Sequence, residues 1–95
     1  MSVLVTMRVK VNDFDGVKAA AAKYADAMKR LGYHWAKIYR AEKDSNDVLF
    51  LMEWKSHDAF NASGDEFGDD FNALVNPAGE WDDVVWHLSD AVEIK

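Results

Sequence analysis

Residues 48–59 read Val48-Leu49-Phe50-Leu51-Met52-Glu53-Trp54-Lys55-Ser56-His57-Asp58-Ala59. Only Glu53 interrupts the apolar run from Val48 to Trp54, and such a run predicts a strand buried on both faces. Ser56 follows as a helix N-cap, because its hydroxyl can accept one of the unpaired N–H groups of a first helical turn. Phe60, Phe67, Phe71, Leu74 and Val75 then fall on one stripe of a helix. Gly64 and Gly68 are weak helix formers, so the pattern predicts a break or kink near residues 63–66. Pro77 and Gly79 are positioned to end the helix.

The flanking segments complete a simple order. Upstream, Val3, Val5, Met7, Val9 and Val11 alternate with Thr6, Arg8 and Lys10, a period of two that predicts a strand. Asn12-Asp13-Phe14-Asp15-Gly16 is turn chemistry containing a helix cap. Val17, Ala20, Ala21, Tyr24, Met28 and Leu31 recur at helical spacing, opposite Lys18, Lys23, Asp26 and Lys29, and Gly32 is placed to close the helix. His34 to Ala41 predicts a second strand, with Trp35, Lys37 and Tyr39 alternating against His34, Ala36, Ile38 and Arg40. The polar residues 42–47 form a hairpin loop. Val84, Trp86 and Leu88 alternate with Val85, His87 and Ser89 as a fourth strand, and Val92 to Lys95 can add a short tail strand.

The result is β-α-β-β-α-β, an α+β ferredoxin-like split βαβ fold with two helices on one face of an antiparallel sheet. Phe14-Asp15-Gly16 against His57-Asp58-Ala59, and Gly32 with Trp35 against Gly79 with Trp81, give a faint internal echo of two halves. One domain over 1–95 is expected, since no linker or low-complexity stretch divides the chain. The other sheet face also carries apolar residues, such as Leu49 and Leu51. Left open it would be a sticky patch, so a homodimer joined through its sheets is expected.

Composition narrows the function. With 95 residues, 49% hydrophobic and four of them Trp, the chain can build one modest core and is not disordered. Its net charge of −6 repels phosphate backbones and anionic bilayers, so neither nucleic acid nor membrane is an expected partner. Cysteine is absent, which excludes disulfides, thiolate nucleophiles and Cys-ligated metals. No apolar run reaches the roughly 18–20 residues that span a bilayer, and the opening residues run into Arg8 too soon for a signal peptide. A soluble cytoplasmic protein is expected.

Glu53-Trp54-Lys55-Ser56-His57-Asp58-Ala59, together with Val5-Thr6-Met7-Arg8-Val9-Lys10 and Ala36-Lys37-Ile38-Tyr39-Arg40, resembles the dimeric α+β barrel superfamily. Within it the closer resemblance is to the antibiotic biosynthesis monooxygenase-like group, and it covers nearly the whole chain. The resemblance implies a ligand cleft between helices and sheet in each subunit, with Trp54 at that cleft. It implies small-molecule chemistry: oxidation of aromatic polyketide-like substrates without metal or flavin, haem degradation, or cyclisation. Met7 stands where haem-degrading members carry an Asn, and Ser63 stands nine residues after the Trp, where many members carry a His. Both departures argue against haem degradation.

Candidate chemistry rests on few residues. A cofactor-free oxidation needs a base to remove a phenolic or enolic proton, after which the electron-rich anion passes an electron to oxygen. His87 is the first candidate for that base and His34 the second, since a near-neutral imidazole suits the task; a hydrogen-bonded sheet histidine is the competing reading. His57 reads as a solvated helix-start residue. Arg8 and Arg40 could stabilise an oxyanion or pair with a carboxylate. Trp54, Met7, Phe50, Met52, Tyr39, Trp86 and Phe60 are the candidate ligand-binding wall, against the alternative of core or dimer packing.

No metal site is expected. Asp83 and His87, four apart on a strand, sit about 13 Å apart, and residues 11–22 lack the carboxylates of a calcium loop. Asp65, Glu66, Asp69 and Asp70 read as a solvated face. The leading expectation is therefore a cofactor-independent monooxygenase-like or cyclase-like enzyme acting on a flat hydroxy-aromatic ligand. The alternatives are a non-catalytic ligand-binding homodimer, and a structural or regulatory one whose own side chains fill the cleft.

Overall fold

The computed structural model describes residues 2–75 and 82–94. Side chains are described to Asp69 and again from Asp82. The order is β1 (Val3–Lys10), α1 (Phe14–Leu31), β2 (Tyr33–Arg40), β3 (Asp47–Trp54), α2 (His57–Val75) and β4 (Asp82–His87), then a short 3-10 turn at Leu88–Asp90. The four strands form one antiparallel sheet in the order β2-β3-β1-β4. This is the ferredoxin-like arrangement, with α1 and α2 packed beside each other over one face.

Register fixes which residues share a face. Val3 pairs with Trp54, Val5 with Met52, Met7 with Phe50 and Val9 with Val48. These residues, half-buried Met7 apart, are buried beneath the helices, where they meet Val17, Ala20 and Ala59. Two local devices hold the helices in place. Gly32 ends α1 in the left-handed region at φ 119°, and its carbonyl accepts the Lys55 N–H at 2.8 Å, which ties the end of α1 to the end of β3. The Ser56 hydroxyl accepts the Ala59 N–H at 3.1 Å and caps α2.

Within the single chain β3 is buried on the helix side, with Leu49 exposed and Leu51 half-buried on the other face. The expectations for α2 and for the C-terminal segment are corrected. α2 runs without a break from His57 to Val75. Packing against α1 outweighs the low helix propensity of Gly64 and Gly68, and the Ser63 hydroxyl donates to the Phe60 carbonyl at 2.7 Å within the turn. The fourth strand ends at His87, with Leu88 in the 3-10 turn, and residues 91–94 are not a strand. The expectations for Phe71, Leu74 and Val75 as apolar stripe, for Pro77 and Gly79 as helix stop, for Trp81 and for the tail at Lys95 lie outside the described residues or side chains. Among the described residues no helix is long and apolar enough to cross a membrane.

Candidate functional site: a cavity between the helices and the sheet

β1, β2 and β3 turn Met7, Ala36, Ile38, Phe50, Met52 and Trp54 toward the helices, and α1 and α2 face them with Ala21, Tyr24, Met28, Phe60 and Phe67. The two layers do not close completely. Between them lies a partly open cavity of about 390 Å³ with a mainly apolar wall, within the range of small-ligand sites. Small residues make part of the space: a Cβ built on Gly64 or Gly68 would meet nothing within 4 Å.

Trp54 is 1% exposed and forms one wall. Tyr33 and Phe60 hold it edge-on, with ring centroids at 5.6 and 5.8 Å. Its indole N–H is buried and has no hydrogen-bond partner among the described residues. A buried donor left unpaired costs about 1–3 kcal/mol, and an acceptor atom that reaches it would recover that cost. A bulge at the start of β2 turns Tyr33 to this side while Trp35 points away. Burial pushes the Tyr33 phenol above its ordinary value, since the phenolate would lose solvation.

The structure brings together five of the sequence-derived wall residues: Trp54, Met7, Phe50, Met52 and Phe60 all line the cavity. Tyr39 and Trp86 do not. Tyr39 pairs with Leu49 and Trp86 with Leu4 on the outer face of the sheet, where both are exposed. Trp86 Nε1 donates there to Thr6 Oγ1 at 2.9 Å.

None of the four candidate polar residues lines the cavity. Arg8 is on the outer face, where its Nε and Nη2 donate to the two carboxylate oxygens of Asp47 at 3.0 and 2.6 Å. That hydrogen bonding, with the attraction of opposite charge, holds Asp47 below the usual carboxylate range and Arg8 above its own ordinary value. Arg40 stacks on the Phe14 ring at 4.0 Å and donates to the Ser45 carbonyl, so it braces the β2–β3 loop. His34 is exposed, with Nδ1 2.8 Å from Glu53 Oε2. His87 pairs with Val3 and so falls on the helix side of the sheet, but it is exposed and outside the cavity wall. His57 is exposed in the first turn of α2.

Sequence reasoning did not single out Tyr24, Tyr33, Ser63, Asp69 or Asp83 as cavity residues, although all five line it. For Tyr24 the signal was present in the α1 stripe. For Asp83 it lay in strand parity, since Asp83 shares a face with Val85 and His87.

Comparison with solved structures follows this geometry. SnoaB of Streptomyces nogalater, a cofactor-independent oxygenase, superposes with a TM-score of 0.76 at 17% identity, covering 98% of this chain and 95% of its own. A dimeric ferredoxin-like protein from an uncultured marine organism matches with a TM-score of 0.70 at 18% identity, over 96% of this chain and 98% of that one. The fold is that of the antibiotic biosynthesis monooxygenase-like proteins. A Nitrosomonas europaea protein classed provisionally with those monooxygenases superposes with a TM-score of 0.65 at 13% identity, over 96% of this chain and 94% of its own. No family model matches the sequence, and comparison with curated proteins finds no match.

Proposed function

We propose that the cavity beside Trp54 takes up a flat, largely apolar hydroxy-aromatic molecule. The protein acts on that molecule as a cofactor-independent monooxygenase-like or cyclase-like enzyme. The observation that carries the reading is the partly open cavity of about 390 Å³ lined by aromatic side chains, among them Trp54, whose indole N–H is buried and unpaired among the described residues. Apolar rings supply area for a planar ligand, and the N–H supplies one directional contact for a hydroxyl or carbonyl oxygen. The likeness of fold to a cofactor-independent oxygenase supports the choice of chemistry.

The outer face of the sheet supports a homodimer. Trp35, Tyr39, Leu49, Val84 and Trp86 are all exposed there, an apolar area that a second copy would cover. The dimeric description of one structural neighbour supports the same assembly.

A second reading, binding without turnover, is favoured by the wall itself. Among the described residues it contains no histidine, lysine or arginine to steady a developing anion. The two readings share one first test, a fluorescence titration against hydroxyanthrones, hydroxyquinones, phenols and haem. Saturable quenching at micromolar ligand supports the cavity, and a flat response across the panel refutes both readings. Oxygen uptake or product formation with a ligand that binds then selects the enzyme, and binding with no turnover selects the second reading.

A further inference from the structure

The charges of this chain are unevenly placed. Ten of the eleven Lys and Arg fall in residues 1–55, whereas residues 56–94 hold ten Asp and Glu and no Lys or Arg. α2 and β4 both come from the acidic part and both contribute to the cavity, through Asp69 and Asp83. Each of these two residues is exposed yet lines the cavity, so their carboxylates stand where it meets solvent. The wall residues contributed by the first part, such as Met7, Tyr24, Ile38, Phe50 and Trp54, are uncharged. No residue from 56 to 94, whatever its place, can bring a Lys or Arg to this site.

The cavity therefore has a polarity. At the Trp54 wall a buried donor has no acceptor among the described residues; at the solvent side two acceptors of negative charge have no Lys or Arg beside them among the described wall residues. We propose that the site selects a planar aromatic ligand with a hydroxyl or carbonyl oxygen at one end and a protonated amine at the other. The oxygen faces Trp54 Nε1 and the ammonium sits between Asp69 and Asp83. A carboxylate in the amine's place meets like charge from both residues and is rejected. Complementary charge at the mouth both attracts the right ligand and excludes the wrong one. This inference rests on the small-ligand reading above and adds the charge of the substrate to it.

Three naphthalenes of similar size test it by isothermal titration calorimetry: 2-naphthol, 6-(aminomethyl)-2-naphthol and 6-hydroxy-2-naphthoic acid. At low salt the amine is expected to bind at least tenfold more tightly than the acid, and the ratio to shrink several-fold at about 0.5 M salt, where screening is effective beyond roughly 4 Å. The double variant Asp69→Asn/Asp83→Asn is expected to bring the ratio below threefold. A double variant of matched charge elsewhere, Asp26→Asn/Glu42→Gln, keeps the ratio, which separates the mouth from the overall field of the chain. A neutral probe that binds while amine and acid bind equally overturns the charge inference alone. So does a tenfold preference that survives removal of Asp69 and Asp83. Failure of all three probes to bind overturns the ligand reading and this inference with it.

Discussion

Replacing Trp54 with Phe separates packing from recognition. The indole is 1% exposed and its N–H is buried without a partner. Phe removes roughly 50 Å² of buried apolar surface, a loss of about 1.3 kcal/mol at ~25 cal/mol per Å². It also removes the unpaired donor, a gain of about 1–3 kcal/mol. The two effects largely offset, so in urea unfolding the ligand-free Trp54→Phe variant is expected to lie between about 0.3 kcal/mol less stable and about 1.7 kcal/mol more stable than the parent. Trp54→Ala removes the same donor but far more buried surface and leaves a cavity, and is expected to lose about 3–5 kcal/mol. Binding behaves differently. Affinity for 2-naphthol, measured by calorimetry, is expected to fall about tenfold in Trp54→Phe, the loss of one hydrogen bond of ~1.4 kcal/mol. A ligand-free Trp54→Phe protein destabilised by 3 kcal/mol or more refutes the claim that the indole N–H is unpaired. Unchanged affinity refutes its role in recognition.

Further outcomes follow from other sites. Gly32→Ala is expected to cost at least about 1–2 kcal/mol in urea unfolding, since a side chain at φ 119° is strained and its Cβ would come within 2.6 Å of the Lys55 side chain. Gly64→Ala, with open space at its Cβ, is expected to stabilise α2 by up to about 1 kcal/mol, while Gly64→Leu is expected to weaken 2-naphthol binding by intruding on the cavity. Asp47 sits below its usual value of 3.8 because of Arg8. Its contribution to stability is thus fully present above pH 3.8 and lost as pH falls through the lower folded value. In melting curves against pH, Asp47→Asn is expected to flatten that acid limb, and an unaltered limb refutes the pairing. Leu49→Asp, on the exposed outer face, is expected to halve the mass seen in sedimentation without unfolding the chain.

The fold was legible because strand periodicity in this chain is clean. Val3 to Val11 alternates, and Val48 to Trp54 keeps its apolar face through Glu53, so both central strands and their order could be read directly. The site was legible in part, for a geometric reason. Period two says which residues share a face, but not which face the helices cover. Tyr39 and Trp86 lie on the outer face with Leu49 and Leu4, and only their register against β3 and β1 shows it. Arg8 shared its parity with Thr6 and Lys10, opposite Met7, so its distance from the cavity could have been inferred. The bulge at Tyr33 could not, since nothing in Tyr33-His34-Trp35 marks an extra residue. Gly64 and Gly68 misled because helix propensity is local. Packing sustains α2 through both, and their missing side chains leave room in the cavity instead.

The central claim, that the cavity beside Trp54 receives a ligand oxygen, is tested most directly by indole N–H resonances in ¹⁵N-labelled protein titrated with 2-naphthol. The expected result is a saturable downfield shift of the Trp54 Nε1–H signal, with Trp35 and Trp86, both on the outer face, unmoved. A Trp54 signal that stays fixed while those of the outer face move would contradict the account.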